Sequence, residues 1–155
     1  MAEVQRILDQ LRRAFEGNAW HGPALLELLA GISAAEAAAH PIPSAHSIWE
    51  LVLHVAAWKS ACKRRLEGDR AQLNNAEDWP DVSQINDATW QDAKDGLLRI
   101  HQQLLVAVSR LDESRLDKPI VEDMSSVYVT LQGVVQHDLY HAGQIAILKR
   151  ALEAP

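Results

Sequence analysis

Apolar residues recur every three or four positions through four long stretches of this chain, and this spacing constrains the fold more than any other feature. Positions i, i+3, i+4 and i+7 share one face of an α-helix, so each stretch predicts an amphipathic helix. The first stretch covers residues 2–16, the third covers 87–111, and the last runs from about 130 to 152. Long runs of β-branched residues, which would favour strands, are scarce, and good helix formers are abundant.

Two capping boxes mark where further helices begin. The pattern S-x-x-E, in which a serine and a glutamate satisfy each other's backbone N–H groups, occurs at Ser47–Glu50 and again at Ser33–Glu36. The first box predicts the start of the second long helix, which Gly68 is expected to end. The other box predicts a short helix between the first and second long helices.

The connections between the long helices are polar. Residues 67–87 contain few periodic apolar positions and predict a long crossover loop, whereas residues 120–130 predict an extended segment or a hairpin-like turn. Four amphipathic helices joined in this way describe an all-α fold, a four-helix bundle with a long crossover loop and short extra helices. The chain of 155 residues is expected to form one domain, 1–155.

The charge and hydropathy of the chain exclude several classes of partner. The formal net charge is −6 and the only basic cluster is residues 63–65, so neither nucleic acid nor an anionic membrane surface is expected to bind. No apolar run approaches the ~20 residues needed to cross a bilayer, and no secretion signal opens the chain. We therefore expect a cytoplasmic protein. Cys62, the only cysteine, is expected to be a small buried residue.

Two histidines on the last predicted helix are the clearest candidates for chemistry. His137 and His141 stand four residues apart on its apolar face, so both imidazoles project toward the core. Each ring carries a donor and an acceptor that must be satisfied there, either within a hydrogen-bonded structural pair or by a metal ion. Asp138 stands where the metalloprotease pattern H-E-x-x-H has its glutamate, so that pattern is not present.

A third histidine, His54, lies on the apolar stripe of the second long helix. Four-helix bundles build metal sites from the side chains of facing helices, which is where His54 is expected to meet His137 and His141. Three imidazoles leave one position of a divalent cation open, as in catalytic rather than structural sites. Nitrogen ligands suit Zn, Ni, Fe or Cu, so this ligand set does not select the metal.

Three segments together resemble the DinB-like superfamily. They are Trp20–Pro23, the helix Ser47–Trp58, and the motif His137-x-x-x-His141-x-Gly143-Gln144-Ile145. The superfamily includes YfiT-like metal-dependent hydrolases and thiol S-transferases that act with bacillithiol or mycothiol. The resemblance implies a homodimeric four-helix bundle that holds a divalent metal ion (Zn, Ni or Fe) through His54, His137 and His141.

Several other side chains are secondary candidates. His21 precedes a predicted helix start, where it could orient a substrate or act as a general acid and base; the alternative is a surface histidine in a turn. His101 is expected to be a hydrogen-bonded core or boundary residue, and Gln144 is expected to donate a hydrogen bond to a ligating imidazole. His40 and His46 flank a proline-rich loop and are expected to be exposed.

Three functions follow from these expectations. In the first, the three histidines hold a cation that activates water or a low-molecular-weight thiol against a small-molecule substrate, which makes the protein a hydrolase or a thiol S-transferase. In the second, a non-catalytic bundle binds metal or a small ligand in a stress response. In the third, the protein is a structural dimer whose histidines form only a polar core network.

Overall fold

The computed structural model describes residues 2–153 and contains seven α-helices and one 3-10 turn in that range. No strand occurs among the described residues; Pro119 and Ser126 form an isolated bridge. The prediction of an all-α fold is therefore confirmed. The helices are α1 (Glu3–Phe15), α2 (Leu25–Leu29), α3 (Ala34–Ala38), α4 (Ile48–Leu66), α5 (Asn75–Asp78), α6 (Asp87–Ser109) and α7 (Val127–Glu153), and the 3-10 turn is Glu113–Arg115.

Both capping boxes form as the sequence predicts. At the start of α4 the carboxylate of Glu50 accepts a hydrogen bond from the backbone N–H of Ser47 at 2.6 Å, and the Ser47 hydroxyl accepts one from the N–H of Glu50 at 3.2 Å. Ser33 and Glu36 make the same pair of contacts at the start of α3. These contacts satisfy N–H groups that have no partner within their helix, and they fix where each helix begins.

The four long helices pack in a ring. Helix α1 contacts α6 and α7, and α4 contacts the same two helices, so α1 lies diagonally opposite α4. The four-helix bundle is thus the observed architecture, with α2, α3 and α5 as the short extra helices.

Two apolar clusters occupy the two ends of the bundle, and their members give the direction of each helix. Helix α4 begins in the first cluster at Ile48 and reaches the second at Cys62, whereas α7 begins in the second at Val127 and reaches the first at Ile145. Helix α6 runs in the same sense as α4, and α1 runs in the same sense as α7. The consecutive long helices α4 and α6 are therefore parallel, so the chain must return along the bundle between them.

That return is the crossover of residues 67–86, and it contains the short helix α5 where the sequence predicts only loop. The side chain of Asn74 accepts hydrogen bonds from the N–H groups of Ala76 and Glu77, both at 3.0 Å, which starts helix α5. Helix α7 also begins earlier than predicted, at Val127 rather than near residue 130, because Ser126 accepts a hydrogen bond from the N–H of Val129. Within residues 2–153, no helix is both long enough and apolar enough to cross a membrane.

Candidate metal centre

A buried polar layer separates the two apolar clusters at the middle of the bundle. Polar side chains rarely occupy such positions unless they are paired or bind an ion. The layer draws on α4, α6 and α7, and its members are His54, Lys59, His101, His137, Asp138 and His141. Two groups of contacts make up the layer: the three histidines on one side and a buried charge network on the other.

The three predicted metal-binding histidines converge in the structure. Nε2 of His137 lies 3.0 Å from Nε2 of His54 and 3.1 Å from Nε2 of His141. His54 and His141 are buried, and His137 is half-buried. Nitrogens that share a tetrahedral ion at about 2.0–2.1 Å are separated by about 3.3 Å, so the observed spacing is close to that of a shared ligand set.

The outer nitrogens of two rings are held by hydrogen-bond acceptors, and this determines which nitrogens carry protons. Nδ1 of His54 donates to the backbone carbonyl of Asp78 at 2.8 Å, and Nδ1 of His141 donates to the side-chain oxygen of Gln144 at 2.6 Å. In the neutral form of each ring, Nε2 then carries no proton and presents its lone pair. Both lone pairs point at the same atom, Nε2 of His137.

A divalent cation fits this arrangement better than hydrogen bonds do. A single N–H on His137 could satisfy only one of the two lone pairs that face it, so at least one would remain opposed to another nitrogen. A cation held by these residues would accept the Nε2 lone pairs of all three rings. Burial lowers the pKa of His137 to about 3, with further lowering from His141 and His54, and burial also lowers the pKa of His141. His137 and His141 are therefore neutral near neutral pH, as metal ligands must be.

The crossover places Asp78 and Trp79 over the histidines, and sequence reasoning missed both residues. The indole of Trp79 stacks on the imidazole of His54, with ring centroids 3.9 Å apart, and His46 stacks on Trp79 at 3.6 Å. His46 is exposed as expected, yet this contact was not foreseen. The carboxylate of Asp78 accepts a hydrogen bond from the indole N–H of Trp58 at 2.6 Å. Periodicity gives no signal for residues in a crossover, because no repeating face defines their direction.

Gln144 has the predicted neighbour and the opposite hydrogen-bond role. Its side-chain oxygen accepts from Nδ1 of His141, whereas the sequence predicts that Gln144 donates. The amide oxygen can only accept, so the proton lies on Nδ1 of His141, which is the tautomer that an imidazole binding a metal through Nε2 would need.

We expect Gln144→Leu to weaken divalent-metal binding by about 10–100-fold, the usual effect of losing a partner that orients a ligand. Competition with a chromophoric chelator would measure the affinity. Gln136→Leu is the matched control, because Gln136 is an exposed residue of the same helix. An equal affinity for the wild type and Gln144→Leu would show that this contact does not position His141.

Lys59, Asp138 and His101 form the buried charge network. Nζ of Lys59 donates to Oδ2 of Asp138 at 2.5 Å and lies 3.3 Å from Nδ1 of His101. His101 stacks on Phe15 at 3.9 Å, and Lys59 lies 4.8 Å from the centre of the same Phe15 ring. Burial raises the pKa of Asp138, and the ammonium of Lys59 opposes that rise. The sequence carries a signal for this pair, because Lys59 and Asp138 each stand on the apolar stripe of their helix.

His101 is buried as expected, but only one of its nitrogens is well placed. Nε2 lies 3.4 Å from a carboxylate oxygen of Glu16 without forming a hydrogen bond, and it has no other partner among residues 2–153. Burial, with the charges of Lys59 and Arg12, lowers the pKa of His101 to about 3. His101 is therefore neutral in the folded protein.

We expect the free energy of unfolding to fall as pH drops from about 6.5 toward about 3, and His101 to contribute to that loss. A histidine of the unfolded chain titrates near ~6.5, so the unfolded state binds a proton first. Each histidine that is neutral in the folded state and protonated in the unfolded state lowers the free energy of unfolding by up to ~1.4 kcal/mol per pH unit within this window. Urea titrations of metal-free protein across the window should show a smaller loss for His101→Leu than for the wild type. Parallel pH profiles for the two proteins would contradict this assignment.

The structure does not bring His21 to the three histidines. His21 is exposed and lines a surface depression with Asp9, Arg13 and Leu139, and none of the three histidines lines that depression. Its position gives no support to the catalytic role that the sequence suggested. Cys62 is buried, as predicted, and burial raises the pKa of its thiol to about 12.

A cavity of about 260 Å³ lies between α4 and α7 beside the histidines. His137 is the one member of the three that lines it, together with Trp58 and Lys59 from α4 and Val134 from α7. The ring of Trp58 meets the ring of His137 edge to face, with centroids 6.2 Å apart. A small molecule in this cavity would therefore reach the meeting point of the three rings from the side of His137.

Comparison with known proteins identifies a family. A protein-family model described as the DinB superfamily matches residues 19–145. Neither the curated proteins nor the solved structures include a significant match to the chain. The matched range contains His54, His137 and His141.

Proposed function

The chain belongs to the DinB superfamily, and from this premise we propose that it is a metal-dependent enzyme in which His54, His137 and His141 hold one divalent cation. The observation that carries the proposal is the convergence of their three Nε2 atoms in a buried layer. When bound, such a cation acts as a Lewis acid that lowers the pKa of water or of a thiol at its open position. Zn, Ni and Fe all suit these nitrogen ligands.

The residues around the three rings have separable roles in this proposal. The carbonyl of Asp78 and the side chain of Gln144 hold the rings of His54 and His141 with Nε2 turned inward. The indole of Trp79 covers one face of His54 and excludes water from it. Reactants then approach from the side of His137, where the cavity lies.

The buried layer favours transfer of a low-molecular-weight thiol over hydrolysis. Hydrolases of the H-E-x-x-H type use a carboxylate beside the metal as the base for water. Asp138 is instead fully buried against Lys59, and Asp78 is engaged by Trp58 and His54. A thiol has a free pKa near ~8.5 and needs less help to ionise than water does.

In this transfer the thiol sulfur forms a bond to an electrophilic carbon of the small-molecule substrate. The bond from that carbon to its leaving group breaks, the leaving group departs with the electron pair, and the thiol proton passes to solvent. A bundle that binds metal without turnover is the second candidate, because no free carboxylate stands ready as a base beside the three rings in the described chain.

Metal content and thiol consumption together test the proposal. Protein purified without an affinity tag should carry about one divalent ion per chain by elemental analysis. It should also accelerate the reaction of a small thiol with the alkylating fluorophore monochlorobimane, and a chelator should remove the acceleration. Bound metal with no acceleration across a panel of thiols and electrophiles would favour the binding-only alternative.

A homodimer is part of the proposal on the basis of the family. Tyr140 and Ile147 lie two turns apart on the same face of α7, and their side chains are 67% and 59% exposed. Light scattering should therefore give the mass of two chains. A mass of one chain at micromolar concentration would remove this part of the proposal without affecting the metal centre.

A further inference from the structure

We propose that the cavity between α4 and α7 binds a small molecule with an apolar body and a carboxylate, and that Arg65 binds the carboxylate. The reacting end of the molecule would lie beside His137. This inference rests on the proposed function for its reacting end, whereas the contact with Arg65 stands on its own geometry. It names a substrate class that the three histidines do not specify.

The cavity has two chemically different ends. Its α4 wall runs from Trp58 to Arg65, a rise of seven residues or about 10 Å, and its α7 wall runs from Val129 to His137, a rise of eight residues or about 12 Å. Because α4 and α7 run in opposite directions, the backbone of Arg65 lies at the end near Thr130, away from His137, and its guanidinium extends back over the ring of Trp58. The volume of about 260 Å³ is slightly below the ~300–1,000 Å³ of most ligand pockets, so the ligand is small.

The guanidinium of Arg65 is oriented and lacks a carboxylate. Its Nε donates to the backbone carbonyl of Ala71 at 2.9 Å, and the group lies 5.6 Å from the ring centre of Trp58. These two contacts fix the plane of the guanidinium. Within residues 2–153 no carboxylate oxygen lies within 4 Å of it, and its terminal amino groups make no hydrogen bond. A planar, fixed guanidinium with free N–H groups suits a carboxylate well.

The rest of the lining supports an anionic ligand with an apolar body. No acidic side chain lines the cavity, although the chain as a whole has a net charge of −6. The other cation in the lining, Lys59, is already paired with Asp138. Of these two cations, Arg65 is therefore the one without a carboxylate partner among residues 2–153. The walls are formed mainly by the apolar side chains of Trp58, Cys62, Val129 and Val134. Two hydroxyl groups, those of Ser125 and Thr130, also line the cavity.

A matched pair of probes tests the carboxylate. Phenylbutyrate and phenylbutanol share a carbon skeleton and differ in the carboxylate, and calorimetry or tryptophan fluorescence would report their binding. We expect the acid to bind the wild type at least about tenfold more tightly than the alcohol, and Arg65→Gln to remove this preference. Arg64→Gln is the matched control, because the neighbouring Arg64 is paired with Asp69 outside the cavity and should keep the preference.

A second variant tests the place of binding without removing a charge. A Cβ added at Gly133, which lines the α7 wall, would meet no atom within 4 Å. Gly133→Leu should therefore fill the cavity and weaken both probes at least about tenfold, while its higher helix propensity preserves α7. Circular dichroism would confirm that the helical content is unchanged. Undiminished binding of both probes to Gly133→Leu would overturn the proposal.

Two other outcomes would also overturn it. Equal binding of acid and alcohol to the wild type would show that the cavity does not select a carboxylate. A preference that survives in Arg65→Gln but disappears in His54→Ala would place the carboxylate on the metal instead. The titrations are run on metal-loaded and metal-free protein. An Arg65-dependent preference in the metal-free protein supports this inference even if elemental analysis finds no metal, so the two proposals fail separately.

Discussion

Replacing His54 with alanine is expected to lower the metal content of untagged protein from about one ion per chain to less than about a tenth of that. His54 is the only one of the three histidines that α4 contributes, and its Nε2 lies 3.0 Å from that of His137. Without it, two imidazoles from neighbouring turns of one helix remain. Loss of an orienting partner alone costs about 10–100-fold in affinity, so loss of a ligand should cost more. Elemental analysis and chelator competition would measure the change.

A surface histidine provides the control for this experiment. His21→Ala removes an exposed imidazole that lines a depression which none of the three histidines lines, so its metal content should equal that of the wild type. Thermal melts of both variants would confirm that they fold. Full retention of metal in a folded His54→Ala protein would leave the three rings as a polar core network only.

Replacing Lys59 with methionine is expected to lower the free energy of unfolding by about 3–5 kcal/mol, which is the usual cost of leaving one member of a buried ion pair alone. Nζ of Lys59 lies 2.5 Å from Oδ2 of Asp138, and the two side chains are 1% and 0% exposed. Methionine would leave the carboxyl group in an apolar setting, where its other oxygen already lacks a partner among residues 2–153. Urea denaturation followed by circular dichroism would measure the loss.

A double variant distinguishes the cost of leaving one charge buried and unpaired from the cost of losing the ion pair itself. Lys59→Met combined with Asp138→Leu removes both charges, and apolar replacements of buried pairs are often neutral or stabilising, so most of the loss should be recovered. Lys63→Met is the matched surface control, because Lys63 pairs with the exposed Glu67 one turn away. Its effect should stay within about 0.5 kcal/mol. A double variant as unstable as Lys59→Met alone would show that volume, and not charge, determines the loss.

Much of the fold could be predicted from the sequence because it depends on local rules. The stripe of apolar residues in each long segment predicted four helices, and the serines at Ser33 and Ser47 predicted two helix starts to the residue. The placement of His54, His137 and His141 on such stripes predicted that they face the interior. The predicted membership of the DinB superfamily is confirmed over residues 19–145. Periodicity also places Lys59 and Asp138 on the buried faces of their helices.

The parts that sequence reasoning did not reach depend on which residues of distant segments become neighbours. Asp78 and Trp79 lie in a crossover without periodicity, and only the parallel course of α4 and α6 carries them over His54. His21 lies in a conspicuous sequence motif, and it lines a surface depression that none of the three histidines lines; its catalytic role stays a prediction.

The sequence by itself determined the helices, their buried faces and the three imidazoles that point inward, because each of these follows from spacing along one helix. Only the tertiary structure decided that Nε2 of His54 meets those of His137 and His141, and that Arg65 enters the neighbouring cavity with no carboxylate of residues 2–153 within 4 Å of its guanidinium. The physical reason is that the direction and depth of a helix in a bundle are set by packing against its neighbours, and no single segment contains that information.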